Sequence, residues 1–145
     1  MKLFGALAVF FAMAVLMPGA GEGPDAIYVG HDKVAAAIAK GGGPLVTNAN
    51  MTVVIAARTT VSIPEIHQKM THIYYVLEGS GVYVTGGNLI GGKVTKTGTT
   101  QGTNIEGGNR QQMTKGDVIV IPPGTPHWWK EISEPLTLYA VSTTE

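Results

Sequence analysis

The stretch from Gly116 to Ile132, GDVIVIPPGTPHWWKEI, decides the fold. Gly116-Asp117 reads as a turn, Val118 to Ile121 as a short buried strand, and Pro122-Pro123-Gly124 as a sharp reversal. Thr125-Pro126 then leads straight into His127. Side chains alternate along a strand, so His127, Trp129 and Glu131 are predicted to share one face and Trp128 to point the other way. A lone histidine after a proline turn is ordinarily structural. Its chemical interest depends on a partner elsewhere in the chain.

The stretch from Pro64 to Gly81, PEIHQKMTHIYYVLEGSG, supplies that partner. Two of the chain's four histidines, His67 and His72, lie here with Glu65. Glu65 and His67 are two apart and point the same way if the segment is extended. A small turn or bulge at Gln68 to Thr71 separates them from a strand over Thr71 to Leu77, whose inner face carries His72, Tyr74 and Val76. A tight Glu78-Gly79-Ser80-Gly81 turn is then predicted to start a further strand, Gly81 to Thr85. Counting His127, three neutral imidazoles and a carboxylate suit a borderline divalent cation such as Zn, Fe, Mn, Ni or Co. A carboxylate two residues before a ligand can instead orient that imidazole from behind.

At 145 residues the chain has room for one domain with its own core. Ten basic and ten acidic residues give a formal charge of +0 with no basic stripe, which argues against a nucleic-acid partner. Twenty glycines and eight prolines imply many tight turns, and the absence of cysteine excludes disulfides, thiolate metal sites and cysteine nucleophiles. No Ser-His-Asp order appears, and no glycine pair precedes a helix as a phosphate loop would. Lys2 followed by the uncharged run Leu3 to Met17, then Pro18 and the small residues Gly19, Ala20 and Gly21, has the layout of a cleaved export signal. Residues 1–21 are therefore read as a signal peptide, leaving no stable membrane span after cleavage and a periplasmic or secreted protein.

Residues 22–49 read as a linker and one helix, and residues 50–145 as a barrel. A brief edge strand is predicted at Ile27 to Val29. A helix follows over His31 to Lys40, with Asp32 near its start, Val34 and Ile38 on its apolar face, and Gly41 capping its end. His31 reads as a surface residue. Strand signals then dominate: Met51 to Arg58, continuing through Thr59 to Ile63, then Leu89 to Ile90, Lys93 to Thr97, Arg110 to Met113, His127 to Ile132 and Leu136 to Ser142. Arg58 could meet an anionic ligand, but a single arginine after a strand is usually on the surface, where it is placed. So many short strands argue for an all-β sandwich or barrel.

Gly116, Pro122, Gly124 and His127 match the second motif of the cupin superfamily, and the chain resembles that family over about residues 50 to 143. The first motif is altered. His72, seven before Gly79, stands where the family has glutamate, His67 takes the second histidine position, and Glu65 takes the first. Glu131 falls where the family commonly has asparagine. The resemblance implies a cupin-type antiparallel jelly-roll barrel with one short N-terminal helix. It also implies a divalent metal ion held by Glu65, His67, His72 and His127, a small-molecule ligand and a homodimer. The reading that follows is a metal-dependent small-molecule enzyme, an oxygenase or an isomerase/lyase, with Glu65 as fourth ligand or general base and Glu131 as a lesser acid/base candidate. The rival is a non-catalytic extracytoplasmic module that binds a metal or a small ligand.

Overall fold

A computed structural model describes residues 25–145. The export-signal reading falls on residues outside this range. Helix α1 (His31–Ala39) starts after extended Gly30, with Asp32 placing a negative charge in its first turn. It stops at Lys40, where Gly41 takes the left-handed conformation, φ 76°. The helix rests on the sheet through Val34 and Ala37, which are three apart. That contact line leaves Ile38 43% exposed, so the predicted Val34–Ile38 stripe does not form as a unit. Ile27 to Val29 is not a strand; Val29 instead packs with Val34 against Leu45, Val53 and Ile55. No helix among the described residues is long and apolar enough to cross a membrane.

The stretch after the helix, expected to be linker as far as residue 49, is a strand from Gly42 onward. Strand β1 (Gly42–Thr47) pairs antiparallel with β2 (Met51–Arg58) and forms the outer edge of the sheet. An edge strand tolerates Pro44 because a missing ladder donor costs little there. Thr59 to Ile63 lies outside the ladder. Ser62 fixes that crossover by donating its N–H to the Trp129 carbonyl at 3.0 Å and accepting the Trp129 N–H on Oγ at 2.8 Å.

Two long strands organise the rest. β3 (Glu65–His67) is followed by β4 (Met70–Thr85), and β11 (His127–Thr144) pairs antiparallel with β4 along its length. Each spans a pair of strands that the sequence had suggested were separate. The predicted turn at Glu78 to Gly81 is a bend within β4, and several register shifts in β11 between Trp129 and Leu138 face it. Two glycines allow the close approach. Gly79 has φ 84° and a Cβ there would collide with the Pro135 carbonyl, while a Cβ on Gly81 would lie 2.5 Å from the Glu131 oxygen.

Bending both strands together folds one antiparallel sheet over on itself. β1, β2, the second half of β11, the first half of β4 and β10 (Val118–Ile121) make one wall. β3, the first half of β11, the second half of β4 and β9 (Asn109–Thr114) belong to the other. β6 (Lys93–Lys96) and β7 (Thr99–Gln101) extend that wall beyond β3. β5 (Asn88–Ile90) pairs with β8 (Asn104–Glu106) in a separate ribbon. The fold is thus the expected all-β antiparallel barrel with one short helix.

The core cluster, Val76, Tyr83, Met113, Ile121, Trp129, Leu136 and Leu138, draws on both walls. Trp128 points the opposite way from Trp129, as parity predicts, and packs against Val82, Val84 and Ile105. β10 is not buried on both faces. Ile119 and Ile121 turn inward, while Val118 and Val120 are 60% and 56% exposed.

Candidate metal centre

Three strands bring the histidines together. His67 ends β3, His72 lies near the start of β4, and His127 opens β11 directly opposite Glu65 of β3. The reversal at Pro122–Gly124 is tied to this point, since the Gly124 N–H donates to the His67 carbonyl at 2.7 Å. All three imidazoles are buried, at 8%, 7% and 4% exposure. Their ring centroids form a near-regular triangle with sides of 4.9, 5.4 and 5.3 Å. One nitrogen from each ring lies within 4.8 Å of the other two.

Each ring is held by its other nitrogen. His67 Nδ1 lies 3.0 Å from Thr99 Oγ1, and His72 Nδ1 lies 2.7 Å from Ser142 Oγ. His127 Nδ1 donates to the Thr125 carbonyl at 2.8 Å. A carbonyl can only accept, so His127 carries its proton on Nδ1 and presents a lone pair on Nε2. The Nε2 atoms of His72 and His127 are buried and have no hydrogen-bond partner. Buried polar atoms without partners are costly, and two converging imidazole nitrogens with braced reverse sides are what a metal ion requires.

Glu65 sits at the edge of the triangle. Its Oε1 is 3.4 Å from His67 Nε2, and its Oε2 accepts from Gln101 Nε2 at 3.2 Å. Burial pushes its pKa up, but the hydrogen bonds from His67 and Gln101 and the nearby histidine charges outweigh this and hold it at about 2. For His72, burial and the neighbouring His127 and His67 lower the pKa to about 4. Burial likewise lowers His127, against the raising effect of its bond to Thr125. At neutral pH Glu65 is thus a carboxylate, and His72 and His127 are neutral imidazoles. That is the protonation state in which these groups bind a divalent cation. The residues fit the ion the sequence suggested.

Glu131 is the exception to strand parity. A bulge at Lys130 shifts the register between Trp129 and Glu131 and turns the carboxylate to the outer face. There its side chain is 54% exposed and pairs with Arg110 Nη2 at 2.7 Å, outside the histidine cluster. Arg58 departs from its expected place in the opposite sense. Two residues beyond Ala56, which packs against the core, it shares the inner face of β2, and its Nε is buried. Thr99, Gln101, Thr125 and Ser142 were not singled out from the sequence. Cross-strand register in the folded sheet places Ser142 opposite His72, and no local pattern marks Thr99 within the glycine-rich segment.

A cleft of ≈ 500 Å³ lies against the His67 side of this centre, bordered by His67, Lys69, Met70, Lys96, Thr99 and Thr144. Its size suits a small molecule.

Comparison with known proteins agrees with the topology. A family model described as cupin matches residues 45–145. Among solved structures, TT1209 from Thermus thermophilus is similar at 20% identity and a TM-score of 0.51, over 71% of this chain and 81% of that one. A candidate mannose-6-phosphate isomerase from Ralstonia eutropha is similar at 16% identity and a TM-score of 0.52, over 72% of this chain and 83% of that one. DMSP lyase from Ruegeria pomeroyi is similar at 14% identity and a TM-score of 0.50, over 72% of this chain but only 46% of that one. At these identities the likeness establishes the fold alone. None of the curated proteins compared matches the chain.

Proposed function

The chain belongs to the cupin family, and from that premise we propose that it is a metal-dependent enzyme acting on a small molecule, by oxygenase or isomerase/lyase chemistry. The observation that carries this reading is the triangle of buried histidines whose Nε2 atoms at His72 and His127 have no partner. His67, His72 and His127 would hold a divalent cation. Glu65 would be the fourth donor, because its Oε1 already faces the same nitrogen of His67 that would bind. Such an ion supplies a Lewis acid with positions left open to a substrate. The similarity to a lyase and to a candidate isomerase is consistent with chemistry of this class.

The chain's own residues do the remaining work. Thr99, Ser142 and the Thr125 carbonyl fix the rings, and Tyr74, stacked 5.5 Å from His72, lines the inner side of the cluster with Tyr83. The cleft beside His67 admits the ligand. From the apolar, lysine-led N-terminal run we infer that this chemistry takes place outside the cytoplasm, in the periplasm or the medium.

Elemental analysis of purified protein tests the metal reading. Near one metal ion per chain is expected in wild type, falling sharply in His67→Ala and His127→Ala, whereas a metal-free wild type would sink it. Retained metal with no turnover across a broad substrate screen, including O₂ uptake, would turn the conclusion to a binding module.

A further inference from the structure

Arg58 is a charged group that the metal centre does not use. It closes β2 opposite Leu136 of β11, a residue 1% exposed, and its side chain faces the space between the two walls. Its Nε is buried without a hydrogen-bond partner. Among the described residues, none of the ion pairs includes it. Burying a guanidinium nitrogen without an acceptor is costly, so the inward edge of this half-buried arginine calls for a partner from elsewhere.

Its surroundings indicate what that partner is. Ala56, two residues back on the same face of β2, packs with Tyr74 against the cluster that contains Tyr83, so Arg58 and the two phenols draw on the same inner region. Tyr74 lies 5.9 Å from Tyr83, and Tyr83 lies 6.3 Å from His127, so the two phenols adjoin the histidines. The carboxylate of Glu65 is already engaged by His67 and Gln101. A divalent cation on the histidines would leave this interior net positive. The outer cleft has the same bias, since Lys69 and Lys96 border it and no acidic side chain does.

We propose that the substrate carries a carboxylate, which Arg58 anchors inside the barrel while the rest of the molecule faces the histidine centre. A planar guanidinium fork matches a carboxylate through two parallel N–H···O bonds, and the phenol hydroxyls offer further donors. A single arginine without a helix N-terminus or a second inward cation suits a carboxylate better than a phosphate. Lys69 and Lys96 draw the anion towards the cleft. The inference rests on the metal-site reading for where the other end of the substrate lies, but the anchor itself can be tested without metal.

The experiment titrates acetate and propionate, their neutral amides, and inorganic phosphate into wild type, Arg58→Gln and Arg58→Lys, each metal-loaded and metal-free. Intrinsic tyrosine and tryptophan fluorescence and Tm are the readouts, and metal content is measured on the same samples. The carboxylates should bind wild type in both metal states and the amides should not. Arg58→Gln should weaken carboxylate binding at least tenfold while retaining its metal, with Arg58→Lys intermediate because it keeps the charge and loses the fork. Amides binding as well as acids, phosphate binding in their place, or carboxylate affinity unchanged in Arg58→Gln would each overturn the proposal. If Arg58→Gln does not fold, Arg58→Lys decides, and unchanged affinity in that variant is equally fatal. Wild type that takes up no metal when it is offered, yet shows Arg58-dependent carboxylate binding, would refute the metal reading and leave the anchor standing.

Discussion

The hydroxyls and carbonyl behind the histidines set how well each ring is aimed. Ser142 Oγ, 2.7 Å from His72 Nδ1, has no other described partner, and Thr99 does the same for His67. Losing such a brace typically weakens metal affinity ~10–100-fold. Ser142→Ala and Thr99→Val should therefore keep the fold and lose affinity by that order in competition with a chelator; unchanged affinity in both would mean that packing alone orients the rings. The same burial makes the metal-free protein sensitive to acid. His72 takes a proton near 6.5 when unfolded but only near 4 when folded, so stability present in full above pH 6.5 is lost as pH falls towards 4. Glu65 acts in the same direction at lower pH, because its folded value of about 2 lies below the ordinary 4.5, and its contribution is lost between those values. At ~1.4 kcal/mol per pH unit, His72 alone accounts for on the order of 3 kcal/mol, less whatever solvent access relieves. Urea unfolding of the metal-free chain from pH 7 to pH 4 should show this decline, and a flat or rising profile would contradict it.

At the level of elements, everything turns on β4 and β11 bending together. If either strand ended at its bend, His72 and His127 would belong to separate hairpins with no reason to converge. Gly79 and Gly81 permit the crossing for two different reasons: Gly79 needs a left-handed backbone and also has the Pro135 carbonyl in its way, while Gly81 is limited only by the Glu131 carbonyl. Gly124 is left-handed too, φ 76°, but has open space around it. Gly124→Ala should thus cost about 1–2 kcal/mol from backbone strain alone. Gly79→Ala should cost clearly more, since the strain is joined by a backbone collision. Denaturation midpoints of the two variants make the comparison, and equal losses would show that the bend has slack. The bulge at Lys130 belongs to the same fold line. It turns Glu131 outward although strand parity pointed it inward.

Across the whole molecule, the histidines draw on both walls: His72 from the first half of β4, His67 and His127 from β3 and the start of β11. A bound ion would therefore link the walls at one place, while Trp129, Tyr83, Val76 and Leu138 link them at another. Metal at about a hundred times its dissociation constant stabilises the folded state by about 2.7 kcal/mol, which for a chain of this size raises Tm by about 10 °C. Calorimetry with and without chelator should find that rise in wild type and lose it in His72→Ala. A Tm indifferent to chelator would deny the link. Trp129→Ala removes a residue 1% exposed from between the walls and should cost ~3–5 kcal/mol, measured by denaturant unfolding.

Local pattern alone determined a good deal of this protein. Valine, isoleucine and threonine runs broken by glycine and proline specify short strands. The two-residue repeat put His72, Tyr74 and Val76 on one face, and the Gly116–His127 spacing pointed to the cupin barrel. These features depend on neighbours in sequence, where steric and turn preferences act. The fusion of paired strands across Gly79 and Ser80, the outward turn of Glu131 and the inward turn of Arg58 depend on partners tens of residues away. Only the folded sheet supplies those partners, because a bulge or a bend is set by the strand it must match. The histidines were legible as residues; their convergence, with the Nε2 atoms of His72 and His127 free and the opposite ring nitrogens braced, was decided by tertiary contact.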